Sequence, residues 1–271
     1  MANKNVLRLK KAIHSFNKQL RSDPHHLAYM GNKYHCPVCR TGLSYFNPMS
    51  SEYLQMLDDS QHVFSLFAYE TINILRYQCP RCYASDRDRL YALYIEKRLG
   101  TNCQSRYNML DIAPTEALES YLRASSCINY RSADLFNPKA DDKVDITDMN
   151  IYTDGRFDIF ICSHVLEHVP DDNKAMRELR RVLKPGGWGI AMVPICLAIE
   201  ETLQDDKIQT DIDRWKYYGQ NDHVRAYSKK GFVTNLKNAG FKVNELGIND
   251  FGKEQFERCG IHPRSVLYIV E

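Results

Sequence analysis

Short apolar runs alternate with longer, more polar segments from about residue 105 to the end of the chain. Six of these runs predict β-strands, at 107–112, 128–133, 157–162, 188–193, 241–246 and 265–270. The segments between them predict helices, at 115–124, 172–184 and 228–239. Alternating strands and helices favour an α/β fold with a doubly wound, mostly parallel sheet. The last two strands are close in sequence, so we expect one of them to be an antiparallel edge strand.

The N-terminal part of the chain follows a different pattern. Apolar residues at steps of three and four predict a basic amphipathic helix over residues 5–21. We expect this helix to pack on its own protein, and peripheral contact with a membrane or a partner is the alternative. Farther along, Ser85 and Asp88 have the spacing of a capping box and predict a helix that ends at Gly100.

These patterns divide the chain into three parts. We predict an N-terminal helix at 1–33, a small module with a linking helix at 34–100, and a main domain at 101–271.

Two matching cysteine pairs mark the small module. Cys36–Pro37–Val38–Cys39 and Cys79–Pro80–Arg81–Cys82 are tight turns that can each direct two thiolates at one point. Four thiolates form the closed tetrahedral shell of structural zinc, and iron is possible in the same shell. The alternatives are four reduced cysteines in a loop or a redox pair. The excursion over residues 40–78 is expected to form a hairpin or a short helix.

Cysteine usage and composition narrow the class of protein further. The nine cysteines are an odd number, which favours a reducing, cytoplasmic location over a disulfide framework, with the five unpaired cysteines as buried thiols. The formal net charge of +2 gives no general attraction to nucleic acid. No apolar run approaches the ~20 residues of a membrane span, and we expect no signal peptide.

Acidic residues stand at the ends of two predicted strands. Asp111 ends the strand at 107–112 before a tight turn at Ala113–Pro114, and Asp134 follows the next strand. An acid at each strand end is how a Rossmann-like sheet holds an adenosine ligand. The turn lacks the glycines that admit a pyrophosphate, so the pattern favours an adenosine without a phosphate over NAD.

A longer series of motifs strengthens this interpretation. The series comprises Leu110–Pro114, Ala133–Leu135, Asp145–Asp148, Phe157–Asp158 with Ser163–His168, and Arg181–Gly187. In this order the motifs resemble a class I S-adenosylmethionine-dependent methyltransferase over roughly residues 105–271. The cysteine pairs and the later segment Gly219–Arg225 resemble a bacterial, type 11-like subgroup with an N-terminal zinc ribbon.

The resemblance implies roles for individual residues around S-adenosylmethionine. Asp111 would meet the ammonium of the methionine portion, and the turn at Ala113 would let backbone N–H groups approach it. Asp134, followed by Leu135, would accept the ribose hydroxyls. Asp145 would contact the adenine amine, with Ile146 stacked beside the ring. Ser163 would face the sulfonium.

Candidate bases follow from the chemistry of methyl transfer. The leaving group is already activated, so an enzyme mainly aligns the acceptor and removes its proton. His164, just after the predicted strand at 157–162, and His223, on the long connection 194–227, are our catalytic candidates. A hydrogen-bonded structural role is the alternative for both. Arg225 and Tyr227 are candidates for positioning an anionic or sugar-like acceptor.

The identity of the acceptor is the least determined point. A small molecule, or a sugar of a glycan or its lipid-linked precursor, is favoured by the near-neutral charge and by aromatic residues in the connection 194–227. RNA is an alternative acceptor, although the chain has no strong basic stripe. A non-catalytic module that only binds the cofactor is a further alternative.

Overall fold

A seven-stranded sheet forms the centre of the computed structural model, which describes residues 26–100 and 105–271. The helix predicted over residues 5–21 lies outside the described residues. The strands are β1 Met30–Cys36, β2 Thr41–Leu43, β3 Tyr107–Ile112, β4 Ile128–Asp134, β5 Asp142–Lys143, β6 Phe157–Ser163, β7 Leu183–Met192, β8 Val243–Leu246 and β9 Leu267–Val270. The helices are α1 His26–Tyr29, α2 Ser51–Asp59, α3 Asp86–Leu99, α4 Glu116–Arg123, α5 Asp172–Val182, α6 Asp211–Tyr218, α7 Lys229–Asn238, α8 Ile248–Phe251 and α9 Lys253–Arg258.

The large sheet has the strand order β5-β4-β3-β6-β7-β9-β8. Strands β3 to β7 pair in parallel, whereas β9 runs antiparallel to both β7 and the edge strand β8. The predicted class, a mostly parallel sheet with an antiparallel edge, is confirmed. The chain moves outward from β3 to β5 and then returns to β6, so the sheet reverses direction between β3 and β6. Ligands of such sheets bind at this reversal, beside the carboxyl ends of the strands.

Strand β7 begins earlier than its apolar pattern indicates. It starts at Leu183 instead of residue 188, and the sheet register shifts between the pairs Phe157 with Leu183 and Ile159 with Trp188. The intervening Lys184–Pro185–Gly186–Gly187 does end helix α5, as predicted, but the strand bulges through it. A Cβ at Gly187 would lie 2.7 Å from the Asp158 carbonyl oxygen, which explains the glycine at this close approach.

Helix α3 packs in the same core as the large sheet. Ser85 accepts from the N–H of Asp88 while the Asp88 carboxylate accepts from the N–H of Ser85, which confirms the predicted capping box. Gly100 ends the helix with φ 68°. The buried face of α3 includes Leu90, Tyr91 and Ile95. The helix therefore ties the small module to the sheet through apolar contacts.

The small module is an antiparallel β1–β2 hairpin with its own apolar cluster. Arg89, a buried residue of α3, stacks on Phe46 of this cluster with 3.9 Å between the guanidinium carbon and the ring centre. The same guanidinium donates to the carbonyl oxygens of Cys259 at 2.7 Å, Ala84 at 3.0 Å and Gly260 at 3.2 Å. These hydrogen bonds satisfy the donors of the buried Arg89 guanidinium, which therefore joins the hairpin region to the C-terminal segment.

The cysteines outside the two pairs differ among themselves. Cys162, Cys196 and Cys259 are buried free thiols, as predicted. Cys127 is disulfide-bonded, which corrects the prediction of a buried thiol at that position.

Candidate active site

The carboxyl ends of β3, β4 and β6 meet at the point where the sheet reverses. Strand β3 lies between β4 and β6, and Asp111 pairs with Ser132 on one side and Ile161 on the other. This arrangement brings Ala113, Asp134 and Ser163 to one edge of the sheet, where the sequence predicts the cofactor.

The carboxyl group of Asp111 is buried, since the residue exposes 1% of its surface. The Tyr130 hydroxyl donates to its Oδ2 at 2.9 Å. Burial raises the pKa of Asp111 to about 8, and the hydrogen bond from Tyr130 only partly offsets this effect. Asp111 is therefore mostly protonated at pH 7 in the free protein, and a cation bound beside it would favour the ionised form.

The turn after β3 has a left-handed residue at its start. Ala113 has φ 49°, and its N–H donates to the Ala133 carbonyl oxygen at 2.8 Å. Left-handed backbone is the conformation for which glycine is best suited, and it costs an L-residue about 1–2 kcal/mol. Alanine therefore takes the place of a glycine, with a methyl group small enough to leave the turn accessible.

Asp134 ends β4 with one carboxylate oxygen engaged by the backbone. Its Oδ1 accepts from the N–H groups of Phe136 at 2.7 Å and Asn137 at 2.8 Å. Oδ2 makes no bond with these amides and is left as a second acceptor. Two apolar side chains beside it are exposed, Leu135 by 38% and Phe136 by 87%. Phe136 has no part in the sequence-based prediction, although its position directly after Leu135 could have indicated it.

The two predicted adenine contacts lie in the segment after β5 and differ in exposure. Asp145 is exposed, and its Oδ1 accepts from the N–H and the hydroxyl of Thr147, both at 2.8 Å. Ile146 belongs to the main core and exposes 6% of its surface. Leu135 and Phe136 offer far more apolar surface at this edge than Ile146 does.

Strand β6 ends in Ser163, which α3 holds in place. The Ser163 hydroxyl lies 2.7 Å from the hydroxyl of the buried Tyr91. The next residue, His164, has φ 56° and donates its N–H to the Met192 carbonyl oxygen of β7 at 2.8 Å. This turn directs the chain away from the sheet. It begins a segment that contains Glu167, which lies beside His164, and His168, which lies beside His223.

Three histidines and one glutamate meet beyond the end of β6. The Nδ1 atom of His164 lies 3.2 Å from Oε1 of the fully buried Glu167. The rings of His168 and His223 are edge to face with centres 4.7 Å apart. Burial lowers the pKa of His164 to about 4, and the charge of Arg87 acts in the same direction. His164 is therefore a neutral imidazole at pH 7, as a proton acceptor must be.

A cavity of about 540 Å³ opens onto this cluster. Its lining comes from the excursion between the cysteine pairs, from Arg87 of α3, from the end of β6 with its turn, and from the connection 194–227 with the preceding Val193. Tyr53 and Tyr69 represent the excursion, His164 and Glu167 the turn after β6, and His223 the connection. The prediction that 194–227 covers a pocket at His223 agrees with this geometry, whereas the contribution of the excursion was not anticipated. A larger hollow of about 950 Å³ between the hairpin and α4 lacks these sheet-end groups.

The excursion and the connection are bonded directly to each other. The Tyr53 hydroxyl donates to the Gly219 carbonyl oxygen at 3.2 Å, and the N–H of Val63 donates to that of Lys216 at 3.0 Å. The predicted short helix of the excursion is α2, and the Tyr53 ring packs against Trp215 of α6. The two segments thus close the cavity together.

Arg225 and Tyr227 do not contact the cavity as acceptor ligands. The buried Arg225 donates to the carbonyl oxygens of Leu166 and Val169, each at 2.6 Å, and of Pro170 at 2.8 Å. The Tyr227 hydroxyl donates to the Asp172 carboxylate. Both side chains hold the turn after β6 in place, which corrects their predicted role as acceptor-binding residues.

The two cysteine pairs come together as predicted. The Sγ atoms of Cys36 and Cys82 are 3.7 Å apart, and those of Cys39 and Cys79 are 3.8 Å apart. All four sulfurs lie within 4.8 Å of one another. A tetrahedral shell with metal–sulfur distances of about 2.3 Å has sulfurs about 3.8 Å apart, so the donor set fits zinc.

The fold defines a class of protein, an α/β protein with a Rossmann-like sheet whose polar side chains gather where the sheet reverses. A family model described as a methyltransferase domain matches residues 83–246, which is more than half of the chain. The chain therefore belongs to this family and is an S-adenosylmethionine-dependent methyltransferase.

Individual relatives are distant or match briefly. A ubiquinone biosynthesis O-methyltransferase of Bordetella avium (strain 197N) is 50% identical over 34 residues, which cover 12% of this chain and 14% of that protein. An Archaeoglobus fulgidus methyltransferase structure has 12% identity and a TM-score of 0.43, over 68% of this chain and 93% of that one. A Haemonchus contortus phosphoethanolamine N-methyltransferase 2 structure, in complex with S-adenosyl-L-methionine, has 17% identity and a TM-score of 0.41, over 61% of this chain and 40% of that one.

Within the described residues, none of the helices combines the length and the apolar character needed to cross a bilayer.

Proposed function

We propose that the enzyme methylates a small polar molecule, or a single sugar unit, that enters the 540 Å³ cavity. The observation that carries this proposal is the position of the cavity, which is lined by His164 at the end of β6, next to the predicted sulfonium position at Ser163. Its volume lies in the range of small-molecule sites. A pocket enclosed by several separate chain segments favours a compact acceptor over an extended polymer.

The cofactor is proposed to lie across the ends of β3 and β4. The buried carboxylate of Asp111 matches the ammonium of the methionine portion in charge, and its raised pKa is the mark of a carboxylate without a full counter-charge. The free Oδ2 of Asp134 suits the ribose hydroxyls, while Oδ1 keeps the turn ordered. Leu135 and Phe136 offer the adenine ring an apolar surface.

The chemical step is a displacement at the methyl carbon of the sulfonium. A lone pair of the acceptor oxygen or nitrogen forms the new bond to carbon, and the carbon–sulfur bond breaks with its electron pair remaining on sulfur. His164 is proposed to take the acceptor proton, since its imidazole faces the cavity and is neutral. His223 also lines the cavity and is the second candidate.

The four cysteines are proposed to bind structural zinc. The sulfur–sulfur distances fit the shell, and four thiolates leave no open position for a reacting group. The ion would hold the two ends of the excursion together, and so its role would be to stabilise one wall of the cavity.

A cell extract divided into small-molecule, lipid, RNA and protein fractions, with a methyl-labelled donor, tests the acceptor class. Label is expected in the small-molecule or lipid-linked sugar fraction. Label confined to RNA or protein would contradict the proposal. The variant His164→Gln is assayed beside wild type. It should reduce turnover by roughly 10²-fold or more and leave cofactor affinity unchanged.

Cofactor placement is tested by calorimetry on variants of Asp134. Asp134→Ala and Asp134→Asn should each weaken S-adenosylmethionine binding by roughly 10-fold or more, because a charge-assisted hydrogen bond contributes about 1.5–3 kcal/mol. Asparagine retains an oxygen for the amides of Phe136 and Asn137, so it separates ribose binding from ordering of the turn. Equal affinity of wild type and both variants would remove the role assigned to Asp134.

A further inference from the structure

Glu167 is a buried carboxylate with unsatisfied oxygens. Its side chain is fully buried, and neither Oε1 nor Oε2 accepts a hydrogen bond from any described residue. The nearest ionisable group is His164, with Nδ1 at 3.2 Å from Oε1. Buried carboxylates are normally paired, hydrogen-bonded or bound to a metal ion. The two unsatisfied acceptor oxygens of Glu167 therefore require an explanation.

Two imidazoles beside Glu167 are already oriented by other groups. Nδ1 of His223 lies 3.0 Å from the Tyr218 carbonyl oxygen, and a carbonyl only accepts, so Nδ1 holds the proton and donates it. Nδ1 of His168 lies 3.2 Å from Oδ2 of Asp222, a carboxylate that also only accepts. In both rings the Nε2 lone pair is left available. A metal-binding histidine has this arrangement, with its other nitrogen bonded to a carbonyl or carboxylate.

The three side chains also converge. One carboxylate oxygen of Glu167 and one ring nitrogen each of His168 and His223 lie within 4.8 Å of one another. Ligands of a zinc ion at about 2.0–2.2 Å are separated by roughly 3.3–3.6 Å, so small side-chain rotations bring them into range. The same residues line the 540 Å³ cavity.

We propose that Glu167, His168 and His223 bind a second divalent metal ion of the zinc type, with an open coordination position facing the cavity. Two histidines, one carboxylate and an open position are the donor set of catalytic zinc, in contrast to the closed shell of the four cysteines. The cysteine pairs and this cluster come from different parts of the chain, so the two sites are independent.

This site narrows the acceptor, and this step rests on the proposed function. An oxygen of the acceptor would occupy the open position, which favours a hydroxyl acceptor over an amine. Glu167, His168 and His223 would hold the ion, which would stabilise the acceptor oxygen once His164 has taken its proton. The oxygen lone pair would form the bond to the methyl carbon, and the carbon–sulfur electron pair would stay on sulfur. His223 is then a metal ligand, and His164 remains as the base.

Metal counting on the full chain tests the site. Wild type, Glu167→Gln and His223→Gln are equilibrated with zinc in a metal-buffered solution and analysed by mass spectrometry for zinc per chain. Two ions are expected in wild type and one in each variant. His262→Gln is the matched control, since His262 is absent from the cavity lining, and it should keep two ions. One ion in wild type, or two in every variant, would overturn the proposal.

Cobalt distinguishes the two sites in the same proteins. Thiolate-to-cobalt charge-transfer bands report the cysteine site alone, so Glu167→Gln should lose one cobalt ion per chain with these bands unchanged. Circular dichroism establishes that each variant is folded. If Glu167→Gln does not fold, His168→Gln replaces it, because the His168 side chain is 30% exposed.

Turnover separates failure of this inference from failure of the proposed function. Unchanged methyl transfer in protein that holds only the cysteine-bound ion overturns the metal site and leaves the proposed function standing. Two bound ions without methylation of any small molecule or lipid-linked sugar leave the metal site standing and overturn the proposed function.

Discussion

At the scale of single residues, the proposed cofactor edge, at the carboxyl ends of β3 and β4, contains residues that are unfavourable for the free protein. Asp111 is a buried carboxyl group whose pKa is raised to about 8, and Ala113 occupies left-handed backbone. Strain and buried charge concentrate at functional sites because the ligand, and not the free fold, compensates for them. Two predictions follow from these two neighbours.

Asp111 should make the free protein less stable as pH rises. Its pKa is raised from 3.8 to about 8 in the folded state, so the folded protein binds the proton more tightly than the unfolded chain between these values. The stabilising effect of that proton is complete below about pH 4 and is lost as pH rises through about 8. Asp111→Asn should remove this dependence and stabilise the free protein at pH 8 by about 1–3 kcal/mol, at the expense of cofactor binding.

Urea unfolding of both proteins at pH 5 and pH 8 measures this difference. Other buried acids titrate in both proteins, so the comparison between wild type and variant isolates Asp111. A stability difference that does not grow from pH 5 to pH 8 would contradict the assignment.

Ala113→Gly should stabilise the protein, by about 0.5–1 kcal/mol, because glycine tolerates φ 49° without steric cost. Cofactor affinity should be preserved. The matched control is Ala117→Gly in the first turn of helix α4, where the same substitution should destabilise the protein because alanine is the better helix former. Thermal unfolding gives both values, and shifts of the same sign in the two variants would argue against strain at Ala113.

At the scale of elements, the short turn after β6 depends on a residue far along the chain. Arg225 supplies donors to three carbonyl oxygens of this turn, and the N–H of Val224 donates to the Glu167 carbonyl oxygen at 2.9 Å. The turn contains Glu167 and His168, so its conformation determines whether the imidazole cluster forms.

Arg225→Met should therefore destabilise the protein by about 3 kcal/mol, because it leaves buried carbonyl oxygens without donors. Turnover should fall more than cofactor affinity, since the cofactor edge at β3 and β4 does not contact Arg225. Lys230→Met is the control: its ion pair with Glu201 is 73% exposed on both sides and contributes little. Equal stability of the two variants in urea would exclude the structural role of Arg225.

At the scale of the whole molecule, the cavity joins the cysteine module to the methyltransferase sheet. The excursion between the cysteine pairs forms one wall, and the connection 194–227 forms the other. Metal removal at the cysteines should release the ends of the excursion, while the cofactor edge at Asp111 and Asp134 lies on the sheet and stays intact.

Cys82→Ser, or removal of metal by a strong chelator, should thus raise the acceptor KM by about 10-fold or more with little change in S-adenosylmethionine affinity. Fluorescence of Trp215, which packs on Tyr53 of the excursion, should change in parallel. Because a chelator also acts on any other metal site, Cys82→Ser is the decisive sample. Parallel loss of cofactor and acceptor binding would show that the module supports the whole fold instead of the cavity alone.

Local patterns in the sequence determined six of the seven strands of the large sheet, the capping box of α3, the cysteine pairs and the acids at the ends of β3 and β4. Each of these depends on periodicity or on spacing within a few residues, so the chain specifies it before any long-range contact forms. Only the tertiary structure decided that Arg225 and Tyr227 face inward, that Ile146 enters the core, and that Glu167, His168 and His223 converge. These outcomes depend on how residues 40–78 and 194–227 pack on the sheet and on each other, and polar side chains on long connections have no periodicity that fixes their direction.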